Sequence, residues 1–507
     1  MNSATHGWHR AWPLLLLAAL ACVALPLLHA GVHSDDWIWL AIVRHLDHPF
    51  APYATGILHE YFYRPSSVAL WWLAERLAGH ASGGHYAVDI AVHATSCLLL
   101  VALLRRYRVG LLPALLAGIV FALAPAAMGT VSWLSNRNEL LAVATGFGFL
   151  LVLEHALQRR AWLLPMALLL ALSVSSKETG LVFAAAGLLR LLWARRDGAT
   201  VTVWAWFGVL APVAGLFVMR KLTLWPVGVA ISPSTAPAGI AGWWQTLPSA
   251  LGGFSTSSLL NGLLAVALVV LALLTLRTAY MQPRRRLPLA IAGVLLALPP
   301  LLQWPITHLV FADAGARLFI ENLRFFYLAT AALAMALAVL IDHCPRRARA
   351  LAVLVAVLAL LLPAGWASQR MSADWARQTG PNSSLILELV RPLAGADYPR
   401  GCVIVLAREH WPTAFPTFAD AIVKYAAAPG ASVLGCAVFT DTAPAHTLLP
   451  RQACTAAQWP TLALRTQQEV SVLRPLGNLC LAGFRMPDAA ALDGAFHINL
   501  DQPVLPP

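Results

Sequence analysis

At 507 residues, with 59% hydrophobic and 11% charged side chains and a mean hydropathy of +0.69, the chain lies far from the composition of a soluble protein. Lys and Arg outnumber Asp and Glu by 35 to 23, but the arginines sit in short clusters between apolar runs, where membrane topology needs them, so the basic charge does not point to nucleic acid. The class that remains is a polytopic α-helical membrane protein.

The first apolar run covers residues 11–28 and follows His9 and Arg10. No small-residue cleavage site follows it, so it reads as a retained span that enters from the cytoplasm. Directly after it comes His33-Ser34-Asp35-Asp36-Trp37. A charged pair at the mouth of a span carries a large desolvation cost unless it faces water, a partner or a substrate. The segment 29–83 is too polar and too broken by Pro49, Pro52 and Pro65 to cross a membrane. Its Trp37, Trp39, Tyr61, Phe62, Tyr63, Trp71 and Trp72 suit helices lying in the interface, as belt anchors before sugar-stacking groups.

Further apolar runs fall at 84–104, 110–127, 139–157, 161–175, 180–193, 201–219, 255–276, 287–303, 325–342 and 350–366, which gives about eleven spans. Arginine clusters follow every second run: Arg105, Arg106 and Arg108; Arg159 and Arg160; Arg195 and Arg196; Arg277 with Arg284 to Arg286; and Arg346, Arg347 and Arg349. The positive-inside rule then places the N-terminus in the cytoplasm and everything from about 367 onward outside an inner (plasma) membrane, in the periplasm or extracellular space. The expected division is a transmembrane part, 1–366, and an outer domain, 367–507.

In that tail, residues 401–407 and 431–440 read as short buried strands, and a small C-terminal α/β domain is the natural reading. It holds Cys402, Cys436, Cys454 and Cys480, whereas Cys22, Cys97 and Cys344 belong to or border spans. In an oxidising compartment an even set of four favours two disulfides, with three connectivities open; buried free thiols are the competing reading.

Four polar groups stand at the outer ends of spans: Asp35 and Asp36; Trp133 to Glu139; Ser175-Ser176-Lys177-Glu178-Thr179; and Glu321-Asn322-Leu323-Arg324-Phe325-Phe326-Tyr327. Carboxylates and cations gathered on one membrane face suit a reaction between an anionic lipid and an outside acceptor. A structural ion pair competes with that reading wherever a cation has an acidic neighbour: Arg137 with Glu139, Lys177 with Glu178, and Arg324 with Glu321 three residues earlier. A transporter or flippase is also polytopic with intramembrane charge, but its charges cluster at the bilayer midplane in broken helices, and these gather at one face.

The ordered set of motifs, over residues 11–366, resembles the GT-C integral-membrane glycosyltransferases, in particular bacterial relatives of the protein O-mannosyltransferases and of the lipid A aminoarabinose transferase. The resemblance implies a GT-C-like fold and transfer of a sugar from a polyprenyl-phosphate donor to a protein, lipid or glycan acceptor on the outer face, with membrane lipid as the surroundings and no nucleic acid. The family's catalytic acid in the first outer loop maps onto Asp35, with Asp36 beside it. A carboxylate within reach of an acceptor hydroxyl is a suitable general base at an oxocarbenium-like centre. Lys177, Arg137 and Arg324 are the cations for the donor phosphate, with Glu139, Glu178 and Glu321 in support. Some relatives hold a divalent metal near the acidic motif, and His29, His33, His45, His48, His59 and His308 lie in outer segments. No ligand spacing among them supports a metal, and scattered interfacial histidines are the simpler account.

The topology is open to direct test. Cysteine labelling or reporter fusions should place the Arg284 to Arg286 loop in the cytoplasm and residue 420 outside; finding both on one side removes an odd number of crossings.

Overall fold

The computed structural model describes residues 3–51, 63–223, 236–251, 258–302, 320–397, 403–407, 419–435, 437–441, 462–465, 470–473 and 496–498. The described chain falls into two compact units. Unit 1 comprises residues 1–29, 63–67 and 83–376, and unit 2 comprises residues 30–62, 68–82 and 377–507. Residues 30–62, expected from the sequence to begin the first outer loop, therefore group with residues 377–507.

Unit 1 is helical. Its helices are α1 (Ser3–Ala24), α4 (Ser82–Arg106), α5 (Leu111–Leu123), α6 (Pro125–Ser132), α7 (Arg137–Ala156), α8 (Leu163–Val174), α9 (Gly180–Arg196), α10 (Val203–Thr223), α11 (Ala236–Leu251), α12 (Ser258–Met281), α13 (Pro283–Leu302), α14 (Tyr327–His343) and α15 (Arg346–Ala356). Two helices have residues assigned to each unit, α3 (Pro65–Ala78) and α16 (Leu362–Gly395).

Seven of the described helices are long and apolar enough to cross a membrane, and an eighth is gained if α5 and α6, bent by 49° at Ala124, form one broken span. Pro125, first residue of α6, accounts for the bend, because it cannot donate to the ladder and pushes Ala124 to extended backbone at ψ 137. The remaining runs, 161–175, 180–193 and 350–366, are helical but shorter or more polar than a full span. The protein is an integral, polytopic helical membrane protein.

Burial ranks the helices. In 323–343 the apolar window is 83% buried and in 134–156 it is 72% buried, against 6% in 261–281. The core is therefore α7 and α14, and α12 turns its leucines and valines outward, as a lipid-facing helix does. α8 and α9 pack on α7, while α5 and α13 pack on α14. Gly146 is needed in α7, because a Cβ there would lie 2.3 Å from the Phe183 ring of α9. Hydroxyls in this apolar setting bond back to their own helix: Thr130 to the Ala126 carbonyl at 2.7 Å, Ser132 to Met128 at 2.7 Å and Thr145 to Leu141 at 2.7 Å.

Unit 2 contains α2 (Asp36–Arg44), the later turns of α3 and of α16, and α17 (Ala419–Ala426). β1 (Val403–Ala407) lies between β2 (Ala437–Asp441) and β5 (Phe496–Ile498), parallel to both, and β3 (Leu462–Arg465) pairs antiparallel with β4 (Val470–Leu473). Parallel neighbours need a crossover, and α17 stands between β1 and β2 in the chain to supply it. The strand expected at 431–440 starts later, since Ser432–Gly435 forms a 3₁₀ turn ahead of β2. Cys402, Cys436, Cys454 and Cys480 lie outside the described residues.

One buried ion pair ties the core of unit 1. Arg137 and Asp89 are both fully buried, with Nε donating to Oδ1 at 2.6 Å and Nη2 to the His85 carbonyl at 3.0 Å. Removing one partner strands a charge in an apolar interior, so Asp89→Ala should lower stability by about 3–5 kcal/mol, and the double variant Asp89→Ala with Arg137→Met should recover most of the loss. Thermal unfolding in detergent measures both.

Candidate active site

Three of the four polar groups meet within unit 1. Glu139 sits in the first turn of α7, where the free amides of the helix favour a carboxylate. Lys177 and Glu178 lie in the tight connection between α8 and α9, closed by the Ser176 amide on the Ser173 carbonyl at 3.2 Å and by the Gly180 amide on the Lys177 carbonyl at 2.9 Å. This places Lys177 Nζ 2.9 Å from Glu139 Oε2, and the Thr179 hydroxyl donates to the same oxygen at 2.8 Å.

A fifth segment joins them that the sequence does not single out, the residues just before and at the start of α3. Arg64 Nη2 lies 2.8 Å from Glu178 Oε2, and Arg220 at the end of α10 lies 3.5 Å from Oε1. Ser66 and Ser175 share a hydroxyl contact at 2.6 Å, and the Ser67 hydroxyl donates to the Ser176 carbonyl at 3.1 Å. Arg324 lies with its guanidinium 4.5 Å over the Trp133 ring and 4.9 Å over that of Phe325. The side chain of Glu321 lies outside the described residues.

The electrostatics reflect this crowding. The Lys177 amine is lowered from its usual value, chiefly by burial, with the Arg324 and Arg64 charges acting in the same direction against Glu139. Burial opposes ionisation of Glu178, but Arg64, its own backbone amide, Lys177 and Arg220 together outweigh it and hold the carboxyl at about 2. Among the described side chains of this cluster, four cations (Arg64, Lys177, Arg220, Arg324) face two carboxylates (Glu139, Glu178).

Arg137 makes its described contacts elsewhere. Its guanidinium is turned inward onto Asp89, so its observed role is to fasten α7 to α4.

Asp35 and Asp36 belong to unit 2, where they open α2. Ser34 adopts a left-handed φ of 55°, which redirects the chain into the helix. Asp36 is fully buried and its Oδ2 accepts the His33 amide at 3.2 Å, whereas Asp35 is half-buried at the N-cap. The geometry separates the pair: Asp36 shapes the loop and Asp35 is the one within reach of solvent.

The aromatic residues of this segment pack within unit 2. Trp39 stacks on Trp71 with centroids 6.2 Å apart, Trp37 meets Tyr425 edge-on at 5.6 Å, and the Trp72 indole donates to the Leu46 carbonyl at 3.1 Å. His45 Nε2 bonds the Lys424 carbonyl at 2.8 Å. Tyr61, Phe62, His59 and His308 lie outside the described residues. Among the described residues no three His, Cys, Asp or Glu side chains lie together as a metal-holding group.

No protein-family model and no curated protein matches the chain. Among solved structures it is similar to the oligosaccharyltransferase of Archaeoglobus fulgidus in complex with zinc and sulfate, at 15% identity and a TM-score of 0.43, over 83% of this chain and 62% of that one. It is likewise similar to the same enzyme tethered to an acceptor peptide containing the NVT sequon (15% identity, TM-score 0.46, 83% of this chain and 64% of that one). A third is the archaeal oligosaccharyltransferase AglB from Archaeoglobus fulgidus with an inhibitory peptide and a dolichol-phosphate (14% identity, TM-score 0.45, 85% and 65%). The chain thus spans a little under two thirds of the length of these proteins.

His45 makes unit 2 sensitive to pH. Burial lowers its pKa below the usual 6.5; the Lys424 carbonyl opposes this and the Arg44 charge adds to it. The folded state therefore holds the imidazole neutral while the unfolded chain takes up a proton near 6.5, so its contribution is complete above that pH and declines as the pH falls below it. Melting temperatures in detergent should drop on acidification from neutral pH to about 5, and His45→Gln, which keeps a donor for the Lys424 carbonyl, should flatten the curve.

Proposed function

We propose that the protein is a membrane glycosyltransferase that moves a sugar from a polyprenyl-phosphate donor to an acceptor on the outer face of the membrane. The observation that carries this reading is the convergence of Lys177, Arg64 and Arg324 in one cluster, with Glu139 on Lys177 and Glu178 on Arg64. A polyprenyl-phosphoryl sugar carries one negative charge on its phosphodiester, and the polyprenyl phosphate it leaves behind carries a second. Fixed cations that bind the first charge and are stronger toward the developing second one lower the barrier to departure.

Lys177, Arg64 and Arg324 hold the donor phosphate. Glu139 and Thr179 orient Lys177, and Glu178 restrains Arg64 and Arg220. Asp35 is the general base. The acceptor hydroxyl oxygen attacks the anomeric carbon as the bond from that carbon to the phosphate oxygen breaks; the hydroxyl proton passes to the Asp35 carboxylate, and the electron pair leaves with the phosphate.

Asp35→Asn keeps size and most hydrogen bonding but removes the proton acceptor, so transfer should fall about 10²–10⁴-fold while donor binding is retained. Asp36→Asn should act mainly on folding. Lys177→Met strands Glu139, so it is best read beside the double variant Lys177→Met with Glu139→Gln, which should fold yet bind donor about 10- to 100-fold more weakly. Transfer and donor binding in liposomes, with each polyprenyl-phosphate sugar supplied singly, measure all four. Near-normal transfer by both aspartate variants would remove the acid from the mechanism.

A further inference from the structure

The loop that carries Asp35 has little regular structure before α2, and residues almost 350 positions away hold it. The Gly31 amide donates to Thr379 Oγ1 in α16 at 3.0 Å, both residues being buried. A Cβ at Gly31 would lie 2.2 Å from the Thr379 carbonyl oxygen and 2.4 Å from Ser383 Cβ, so only glycine permits the approach. From there the chain passes through the left-handed Ser34 to Asp35 within four residues.

The helix that follows is held as well. Trp37 meets Tyr425 of α17 edge-on at 5.6 Å, and Arg44 lies 5.3 Å over the same ring while reaching Glu75 at 3.0 Å. His45 bonds the carbonyl of Lys424, whose own buried amine is 2.7 Å from Asp420. Contacts at both ends of a short segment fix where its first residues stand. A general base must lie within hydrogen-bond reach of the proton it takes, and a displacement of about 1 Å costs on the order of 10²-fold in rate.

We propose that the C-terminal segment is a positioning element of the transferase: Thr379 and Tyr425 fix the loop and helix that present Asp35, and Thr379 is a positioning residue. The inference rests on the reading of Asp35 as the base. It gives the tail a task in catalysis that needs no contact between the tail and the substrate.

The test uses the full chain in liposomes and two readouts, transfer kinetics with a polyprenyl-phosphate sugar that the unmodified protein turns over, and hydrogen exchange of residues 30–44. Thr379→Val removes the acceptor at nearly constant shape. It should lower kcat about 10- to 100-fold with the donor KM unchanged and speed exchange in 30–44, and Thr379→Ser, which keeps the hydroxyl, should restore both. Tyr425→Leu loosens the other end and should act the same way, which keeps the test open if Thr379→Val does not fold. Unchanged exchange, or faster exchange with unchanged kcat, overturns the proposal. A rise in KM alone overturns it too, since that reports donor binding. If the unmodified protein turns over no such donor, the transferase reading itself fails and takes this inference with it, an outcome seen in the parent protein before any variant is made.

Discussion

Charge in or near a membrane has to be paired, because an isolated ion taken out of water costs several kcal/mol even after relaxation, and the described ions of unit 1 obey that constraint. Arg137 with Asp89 and Arg190 with Glu154 are one-to-one pairs. In the second, Nε and Nη2 engage both carboxylate oxygens at 2.5 and 2.9 Å. Such pairs fasten one helix to another. Asp342 takes Arg285 and Arg349 together with the Gly110 amide, but Arg349 is 33% exposed, so water shares that charge. Around Lys177 the pairing differs: Glu178 is shared by Arg64 and Arg220, and Glu139 by Lys177 and the Thr179 hydroxyl, while Lys177 and Arg64 are only 13% and 9% exposed. That network, shared among several groups, is what sets this cluster apart from the two helix-fastening pairs, and it is the ground on which the proposed donor-phosphate site rests.

Much of the membrane part is legible in the sequence, because the signal for a span is simply the length of an apolar run. The runs at 84–104, 139–157, 201–219 and 325–342 coincide with helices α4, α7, α10 and α14. Ion pairing is not legible in the same way. Adjacency in sequence suggests Arg137 with Glu139 and Lys177 with Glu178, but residues one or two apart on a helix or turn point in different directions. The structure exchanges the partners: Lys177 takes Glu139, Arg137 takes Asp89 on another helix, and Glu178 takes Arg64, 114 residues earlier. Asp89 and Arg64 carry no local signal, one being a lone acid in a span and the other a lone arginine before a proline. Only the packing of α4, α7 and the α8–α9 connection brings them into play.

The acidic pair shows the same limit at shorter range. From sequence alone Asp35 and Asp36 are interchangeable, two carboxylates at the start of a helix. Their difference comes from the turn before them. With Ser34 at a positive φ the chain folds back so that the His33 amide meets the Asp36 carboxylate, and that residue is drawn fully into unit 2. Asp35, one position earlier, is rotated about 100° around the helix axis and keeps part of its surface. On the proposed reading a base has to accept a proton from a group that arrives from outside, and the partial exposure that Asp35 keeps and Asp36 lacks is what favours Asp35 for that role. Asp36 is held by a backbone amide and cut off from solvent, so under the proposed function the pair divides into one reactive carboxylate and one that shapes the turn before it.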